Sequence, residues 1–116
     1  MQNQVTAAAL IAVLAGCAGV GERDFDRHRL SRIGVSPADP GAWLYEAKID
    51  PKYPDGNAAA EAIRMDWLDD WMEQRKFCTH AYEVVERRAF EPDEPNLYGS
   101  DLRYVVKCVN AAVSAE

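Results

Sequence analysis

The chain has 116 residues, of which 19 are acidic and 13 basic, and its formal net charge is −6. This length allows a single domain at most. Nucleic-acid binding depends largely on neutralising phosphates with Lys and Arg, so a net acidic chain is a poor candidate for general nucleic-acid binding. The same charge argues against a basic membrane-surface protein. We therefore expect no nucleic-acid partner.

The chain begins with an uncharged apolar run over residues 5–13, which is followed directly by Leu14-Ala15-Gly16-Cys17. The run has the length of the apolar part of a signal peptide, and it is too short to span a bilayer as a helix, which needs roughly 20 residues. The run and the motif together resemble the signal peptide and lipobox of bacterial lipoproteins. An alternative is a short buried helix followed by an ordinary cysteine.

The resemblance implies that residues 1–16 are a cleaved signal peptide and that the thiol of Cys17 is lipidated. A lipid membrane would then be a partner through the acylated Cys17. In Gram-negative lipoproteins the residue after the cysteine influences sorting, and Ala18 implies the outer membrane, with the protein facing the periplasm.

Residues 17–41 are predicted to form the lipidated cysteine and a flexible tether. Glycines and prolines interrupt this segment repeatedly, which disfavours regular structure. The charged stretch over residues 22–32 contains four Arg that could touch anionic lipid or peptidoglycan carboxylates. Three acidic residues offset most of that charge, which favours a solvated linker with a transient helical turn.

A folded domain is predicted over residues 42–116, and it opens with a strand. Trp43, Tyr45, Ala47 and Ile49 alternate with other residues, and this period of two is typical of a half-buried strand. Pro and Gly in residues 51–56 end the strand.

A helix is predicted from Asn57, a favourable N-cap, to about Phe77. At 100° per residue, one arc of this helix is apolar and the opposite arc is acidic, which indicates an amphipathic helix with one face toward the core. The apolar arc contains Ala60, Ile63, Trp67, Leu68, Trp71 and Met72, and the acidic arc contains Asp66, Asp69, Asp70 and Glu73. The acidic arc is either a surface for a cation or basic partner or, more simply, a solvated face.

Two arginines lie within the apolar arc and form the candidate ligand site of the sequence. Arg64 and Arg75 fall near Trp67 and Trp71, and two guanidiniums beside tryptophans could clamp a small anionic ligand by hydrogen bonding and stacking. Alternatively, their stems cover apolar surface while their heads pair with carboxylates of the following strand.

Two further strands are predicted over residues 81–90 and 102–109, joined by a turn-rich loop over residues 91–100 into a hairpin. Export would place Cys78 and Cys108 in an oxidising compartment, which predicts a disulfide that contributes about 3 to 4 kcal/mol. The alternatives are two buried free thiols or half of a metal site. A zinc site would need further ligands, and His28 and His80 do not have zinc-finger spacing, so no metal site is predicted.

If Cys78 lies opposite Cys108 in the hairpin, Tyr82 faces Tyr104. The predicted fold class is therefore α+β, a small β-α-β-β domain with one amphipathic helix packed on a three-stranded sheet and one disulfide. A right-handed crossover would make the first two strands parallel neighbours.

No reaction chemistry is visible in the chain. Its serines do not occur in a nucleophile-elbow motif, and a redox Cys-x-x-Cys motif, a glycine-rich phosphate loop and a dinucleotide fingerprint are all lacking. We predict that the protein is not an enzyme, with no catalytic residues and no cofactor.

The lipobox, the helix with Trp67 and Trp71 and the Cys78–Cys108 span together resemble, loosely, the small uncharacterised lipoproteins of proteobacteria. That resemblance brings no known activity. The leading hypothesis is a membrane-anchored, non-enzymatic interaction or accessory module that docks an envelope protein or a cell-wall component. The alternatives are an inhibitor of an envelope-attacking enzyme such as a lysozyme, acting through the acidic loop over residues 91–100, and a binder of a small anionic ligand.

Overall fold

The computed structural model describes residue 21 and residues 23–109, and in this part the protein is α+β. The predictions that concern residues 1–20, including the signal peptide and lipidation of Cys17, lie outside the described residues. The elements are helix α1, which includes residues 23–30, strands β1 (Ser31–Val35) and β2 (Trp43–Ala47), helix α2 (Ala58–Arg75), and strands β3 (Tyr82–Ala89) and β4 (Leu102–Cys108).

The four strands form one antiparallel sheet in the order β1-β2-β4-β3. A short loop joins β1 to β2, where the Ser36 N–H donates to the Ala42 carbonyl over 3.0 Å. Strand β4 is enclosed between β2 and β3, and its Leu102, Tyr104 and Val106 are buried on the face that packs against α2. Alternation of inward and outward side chains along β4 therefore builds the centre of the core.

Helix α2 begins and ends at recognisable caps. The Asn57 side chain accepts a hydrogen bond from the Ala60 N–H over 2.9 Å, which confirms the predicted N-cap. The helix ends before Lys76, which has a φ of 52° and donates its N–H to the Met72 carbonyl. This left-handed cap ends the helix slightly before the predicted Phe77.

The apolar arc of α2 packs on the sheet as expected. Trp67, Leu68, Trp71 and Met72 are buried in one cluster with the inward side chains of β2 and β4. Trp43 is only half-buried, and it stacks on Phe77 with ring centroids 3.7 Å apart. The acidic arc faces solvent for the most part.

The predicted flexible tether is wrong for residues 23–35, which form α1 and β1. The folded part of the chain therefore begins well before the predicted boundary at residue 42. Strand β1 pairs with β2 along its whole length, from Ser31 opposite Ala47 to Val35 opposite Trp43. Leu30 and Ile33 of this segment are part of the hydrophobic core, and they anchor the segment to the domain. Two apolar residues are too few to produce a periodic pattern that the sequence would reveal.

The predicted three-stranded β-α-β-β arrangement is also wrong in its details, since the sheet has four strands and the described part of the chain has two helices. The strands β2 and β3 do run in the same direction, because each is antiparallel to β4, but β4 lies between them. The unit is thus a split β-α-β, in which the last strand fills the gap left by the crossover.

The disulfide between Cys78 and Cys108 is confirmed, with 5.4 Å between the two Cα atoms. The hairpin of β3 and β4 is confirmed too, but its predicted register is wrong. Tyr82, not Cys78, lies opposite Cys108, and a bulge separates Val84 from Glu86. Cys78 belongs to the segment between α2 and β3, so the disulfide ties that connection to the end of β4 and is not a cross-strand pair.

Candidate functional site

A concave surface between α1 and α2 forms a groove with a volume of about 450 Å³. We call it the α1–α2 groove. Its lining comes from α1, from the turn before α2 and from α2 itself, and consists of Arg23, Asp26, Lys52, Tyr53, Ile63, Asp66 and Trp67. Such a concave, largely apolar surface with a few polar groups is the usual form of a binding site.

The floor of the groove is apolar and aromatic. The rings of Tyr53 and Trp67 meet edge to face with centroids 4.9 Å apart, and both residues are buried. Ile63 lies one turn before Trp67 on α2 and is half-buried. Because the edge-to-face contact and the backbone of α2 hold these side chains, the floor is formed before any partner binds.

A buried carboxylate lies at one side of the groove. Asp26 on α1 is 4% exposed, and it accepts hydrogen bonds from the Tyr53 hydroxyl, from Lys52 Nζ over 3.1 Å and from Arg29 over 3.4 Å. The hydrogen bond from Tyr53 is the main reason why the pKa of Asp26 lies below its usual value, although burial opposes the shift. Burial and the same hydrogen bond raise the pKa of Tyr53.

The rim of the groove is charged and polar. Arg23 on α1 forms two hydrogen bonds of 3.1 Å with the Asp70 carboxylate on α2, which ties the two helices together. Asp66, one turn earlier on α2, is exposed. The groove thus presents an apolar floor between cationic and acidic groups, an arrangement suited to recognising a side chain with polar flanks.

The structure does not bring the predicted ligand residues together. Arg64 is 0% exposed and donates to the Glu61 carboxylate over 2.9 Å, to the Tyr53 carbonyl over 2.9 Å and to the Pro54 carbonyl over 3.2 Å. Its guanidinium therefore fastens the turn before α2 to the helix. Arg75 is exposed and lies about 16 Å away along the helix axis, given a rise of 1.5 Å per residue.

The two predicted tryptophans have separate surroundings. Trp67 lines the α1–α2 groove, whereas Trp71 is buried beside β1, where its Nε1–H donates to the Ser31 hydroxyl over 2.9 Å. The Arg75 guanidinium lies 5.6 Å from the Trp71 ring centroid, and Arg27 covers the same ring at 4.7 Å. This geometry gives no support to an anion clamp made of Arg64 and Arg75.

A second polar cluster centres on Glu61 in the first turn of α2. Its carboxylate accepts hydrogen bonds from Arg64, from Arg87 on β3 and from the Tyr104 hydroxyl on β4, at distances from 2.9 to 3.1 Å. Burial alone would raise the pKa of Glu61, but the bonds from Arg87, Arg64 and Tyr104 lower it to about 2. Glu61 therefore joins α2 to two strands of the sheet.

The face of the sheet that points away from α2 carries several ion pairs, and the loop over residues 91–100 packs against this face. Glu94 in this loop pairs with Arg88 over 2.7 Å and with Arg103 over 3.6 Å. The hydrogen bond from Arg88 lowers the pKa of Glu94 to about 2. The ring of Tyr98 lies under the Arg32 guanidinium at 3.2 Å. The loop is therefore held at several points along its length.

Sequence reasoning missed the groove because Arg23 and Asp26 lie in the segment predicted to be a tether. One signal was present: Asp26 and Arg29 are three residues apart, a spacing that stabilises a helix by ion pairing. Lys52 and Tyr53 lie in the turn before α2, and periodicity carries no information about what a turn packs against.

Residue 21 and residues 23–109 contain no group of three His, Cys, Asp or Glu side chains that could hold a metal ion. This part of the chain also has no helix with the length and apolar character needed to cross a membrane.

Comparison of the chain with protein-family models, with curated proteins and with solved structures found no match.

Proposed function

We propose that the protein is a non-enzymatic interaction module of the bacterial envelope, anchored in the outer membrane through acylated Cys17 and facing the periplasm. The apolar run and Leu14-Ala15-Gly16-Cys17 support the anchor, because they resemble a lipoprotein leader. The Cys78–Cys108 disulfide is in keeping with an oxidising compartment. The partner is an envelope protein or a cell-wall component.

The observation that carries the proposal is the preformed floor of the α1–α2 groove. A volume of about 450 Å³ accommodates one large side chain of a partner together with its backbone. Buried apolar anchors of this kind dominate the binding energy of many interfaces. We therefore propose a protein partner that inserts an aromatic or aliphatic side chain above Ile63 and Trp67, with Arg23 and Asp66 at the polar rim.

Site-specific photo-crosslinking in the living cell tests this proposal. A photoreactive amino acid at Asp66, on the groove rim, should capture one discrete partner. The matched control places the same amino acid at Glu73, which is exposed two turns further along the same acidic face of α2. A similar set of products from both positions would contradict the groove as the docking site.

A second variant ties the capture to the floor. Ile63→Asp puts a charge on the half-buried apolar floor and should abolish the adduct formed from position 66, because burying an unpaired carboxylate is unfavourable. Circular dichroism would establish that the variant remains folded. Persistence of the adduct in a folded Ile63→Asp protein would overturn the proposed binding mode.

The conformation of the loop over residues 91–100 favours a second candidate function, inhibition of an envelope-attacking enzyme such as a lysozyme. Asn96 and Ser100 are joined by two hydrogen bonds of 2.7 and 2.8 Å, and Glu94 is paired with Arg88. Between these tethers Leu97 is 86% exposed. A rigid acidic loop with an apolar tip is suited to insertion into the cleft of a basic enzyme, since little entropy is lost on binding.

Lysozyme activity, measured with and without a stoichiometric excess of the purified protein, tests this candidate. We expect loss of activity with the native chain and a weaker effect with Leu97→Ala. The matched control is Val35→Ala, which removes an exposed apolar side chain at another site. Full lysozyme activity in the presence of the native protein would exclude this function.

A further inference from the structure

A second, smaller cavity lies at the end of α1, and several basic residues line it. Its volume is about 160 Å³, and Arg29, Arg32 and Lys48 contribute to its lining. These residues come from the end of α1, from β1 and from the residue just after β2. The cavity shares no lining residue with the α1–α2 groove. Three cations from three segments thus converge in a chain whose net charge is −6.

Arg32 is held in place but keeps its hydrogen-bonding capacity. The central carbon of its guanidinium lies over the Tyr98 ring, 3.2 Å from the centroid, and this contact restrains the group. Its nearest carboxylate in the described part of the chain belongs to Glu46, at 3.9 Å from Nε, which is beyond hydrogen-bonding distance. The two terminal nitrogens therefore remain available to an oxyanion.

Lys48 adds a second available charge. Its backbone N–H donates to the Leu30 carbonyl over 2.8 Å, which fixes the position of the residue beside the end of α1. Within residues 23–109, Lys48 forms no ion pair. Arg32 has only the long ion pair with Glu46, and Lys48 has none in this part of the chain, so a bound anion would reduce the repulsion between the two cations.

Other polar groups at the cavity are compatible with an anion. Arg29 already pairs with Asp26 over 3.4 Å and with Asp50 over 3.5 Å, so it contributes only part of its charge. The carbonyl end of α1 opposes an anion. Two of its carbonyls are occupied, however, since Arg27 accepts from the Ser31 hydroxyl over 2.6 Å and Leu30 accepts from Lys48.

The volume restricts the ligand to a small group. A cavity of about 160 Å³ is well below the 300 Å³ or so of a pocket for a drug-sized molecule, so it accommodates one charged group and not a whole cofactor. Arg binds phosphate and carboxylate through its planar fork, and Lys adds a point charge. Tyr98 and Ser100 also line the cavity, and both residue types carry a hydroxyl that can donate a hydrogen bond, which favours a group with three oxygens over one with two.

We infer that this cavity is a phosphoryl-binding site in which Arg32 and Lys48 hold the oxyanion and Tyr98 orients Arg32. Two sources offer the same chemistry: a soluble phosphate or phosphate monoester, and the phosphate of an anionic lipid headgroup. The cavity shares no lining residue with the α1–α2 groove, so the two proposals are tested by different variants.

Titration of the full-length protein with inorganic phosphate at constant ionic strength tests the inference. The backbone amide signals of residues 32 and 48 in a nitrogen–proton correlation spectrum should shift and saturate. Lys48→Gln should weaken phosphate binding by about tenfold, which is the scale of one charge-assisted hydrogen bond. The control is Lys107→Gln, which makes the same charge change at the other end of the sheet, where Lys107 pairs with Asp39 over 3.2 Å.

The outcomes separate the possibilities. An equal loss of affinity in Lys107→Gln, the absence of a saturable shift, or equal binding of acetate would each overturn the phosphoryl site. Sedimentation of Cys17→Ala protein with phosphatidylglycerol vesicles, compared with phosphatidylcholine vesicles, then identifies the source. Vesicle binding that Lys48→Gln abolishes supports a lipid headgroup, and saturable binding of free phosphate without vesicle binding supports a soluble ligand.

Discussion

At the scale of single residues, buried charges hold this small domain together. Arg64, Asp26 and Arg27 are almost fully buried, and each contacts a group of opposite charge. Removing one partner of such a pair is costly because the other charge is left without compensation. The strongest residue-level predictions therefore concern these pairs and not the exposed acidic face of α2.

Glu61→Gln should make the protein less stable and change how its stability depends on pH. The pKa of Glu61 is about 2 in the folded protein, below the ordinary value of 4.5. The native carboxylate therefore adds stability that is fully present above pH 4.5 and is lost as the pH falls toward 2. After allowance for partial exposure, we expect a loss of about 1 to 2 kcal/mol at neutral pH.

Urea unfolding between pH 2 and pH 7 measures this effect. The matched control is Glu73→Gln, an exposed position on the same helix. The stability difference between Glu61→Gln and the native protein should shrink at the acidic end of the range. A difference that stays constant with pH would show that the ionised carboxylate does not provide the stabilisation.

Arg64→Met should lower the free energy of unfolding by about 2 to 4 kcal/mol, because it leaves the Tyr53 and Pro54 carbonyls without their Arg64 donor and removes one of the donors to the Glu61 carboxylate. Arg75→Met on the exposed side of α2 should change it by about 0.5 kcal/mol or less. Thermal unfolding of both variants checks the contrast. Equal effects would contradict a structural role for Arg64.

At the scale of elements, α1 and β1 belong to the fold. Strand β1 covers one edge of β2, and α1 brings Asp26 to the turn before α2. Strand β3 forms the other edge of the sheet, and it carries a bulge near Val85 and several charged residues. Bulges and charges at an edge discourage pairing with a second chain.

Removal of residues 1–41 should abolish cooperative folding, whereas removal of residues 1–20 should preserve it. The longer deletion takes away β1 and the core residues Leu30 and Ile33, and it exposes the edge of β2. Thermal denaturation followed by tryptophan fluorescence distinguishes the two truncated chains. A sharp transition in the chain that begins at residue 42 would show that β1 is dispensable.

At the scale of the whole molecule, a small core is supplemented by a covalent link. The disulfide joins residues 30 positions apart and ties the connection after α2 to the last strand. In a domain of this size the core alone is marginal, and the constraint on the unfolded chain becomes a large share of the stability.

Replacement of Cys78 and Cys108 by serine should lower the free energy of unfolding by about 3 to 4 kcal/mol, on the chain-entropy estimate for a loop of this length. Urea unfolding of the double variant and of the native protein, with and without a reductant, measures the difference. A reductant should destabilise the native protein and leave the variant unchanged. Equal stability of oxidised and reduced native protein would contradict the proposed contribution.

The features that could be predicted from the sequence alone depend on residues close together in the chain or, for the disulfide, on the pairing of two cysteines. The span of α2, its Asn57 cap and its buried face follow from a period of 3.6 residues and a capping side chain, which neighbours in the chain suffice to specify. The hairpin of β3 and β4 follows from two strand patterns around a turn-rich loop. The Cys78–Cys108 bond was predictable because these are the two cysteines left when Cys17 is assigned to the lipobox.

Tertiary structure decided the rest, because these features depend on contacts between residues far apart in the chain. Residues 23–35 have only weak hydrophobic periodicity. Contacts with Trp71, with β2 and with Tyr53 in the turn before α2 stabilise them as α1 and β1. The register of β3 depends on a bulge that hydrophobic alternation does not reveal. Likewise, an arginine on α2 can bind a ligand only if the turn before the helix leaves it exposed. That turn buries Arg64 completely, so Arg64 supports the fold.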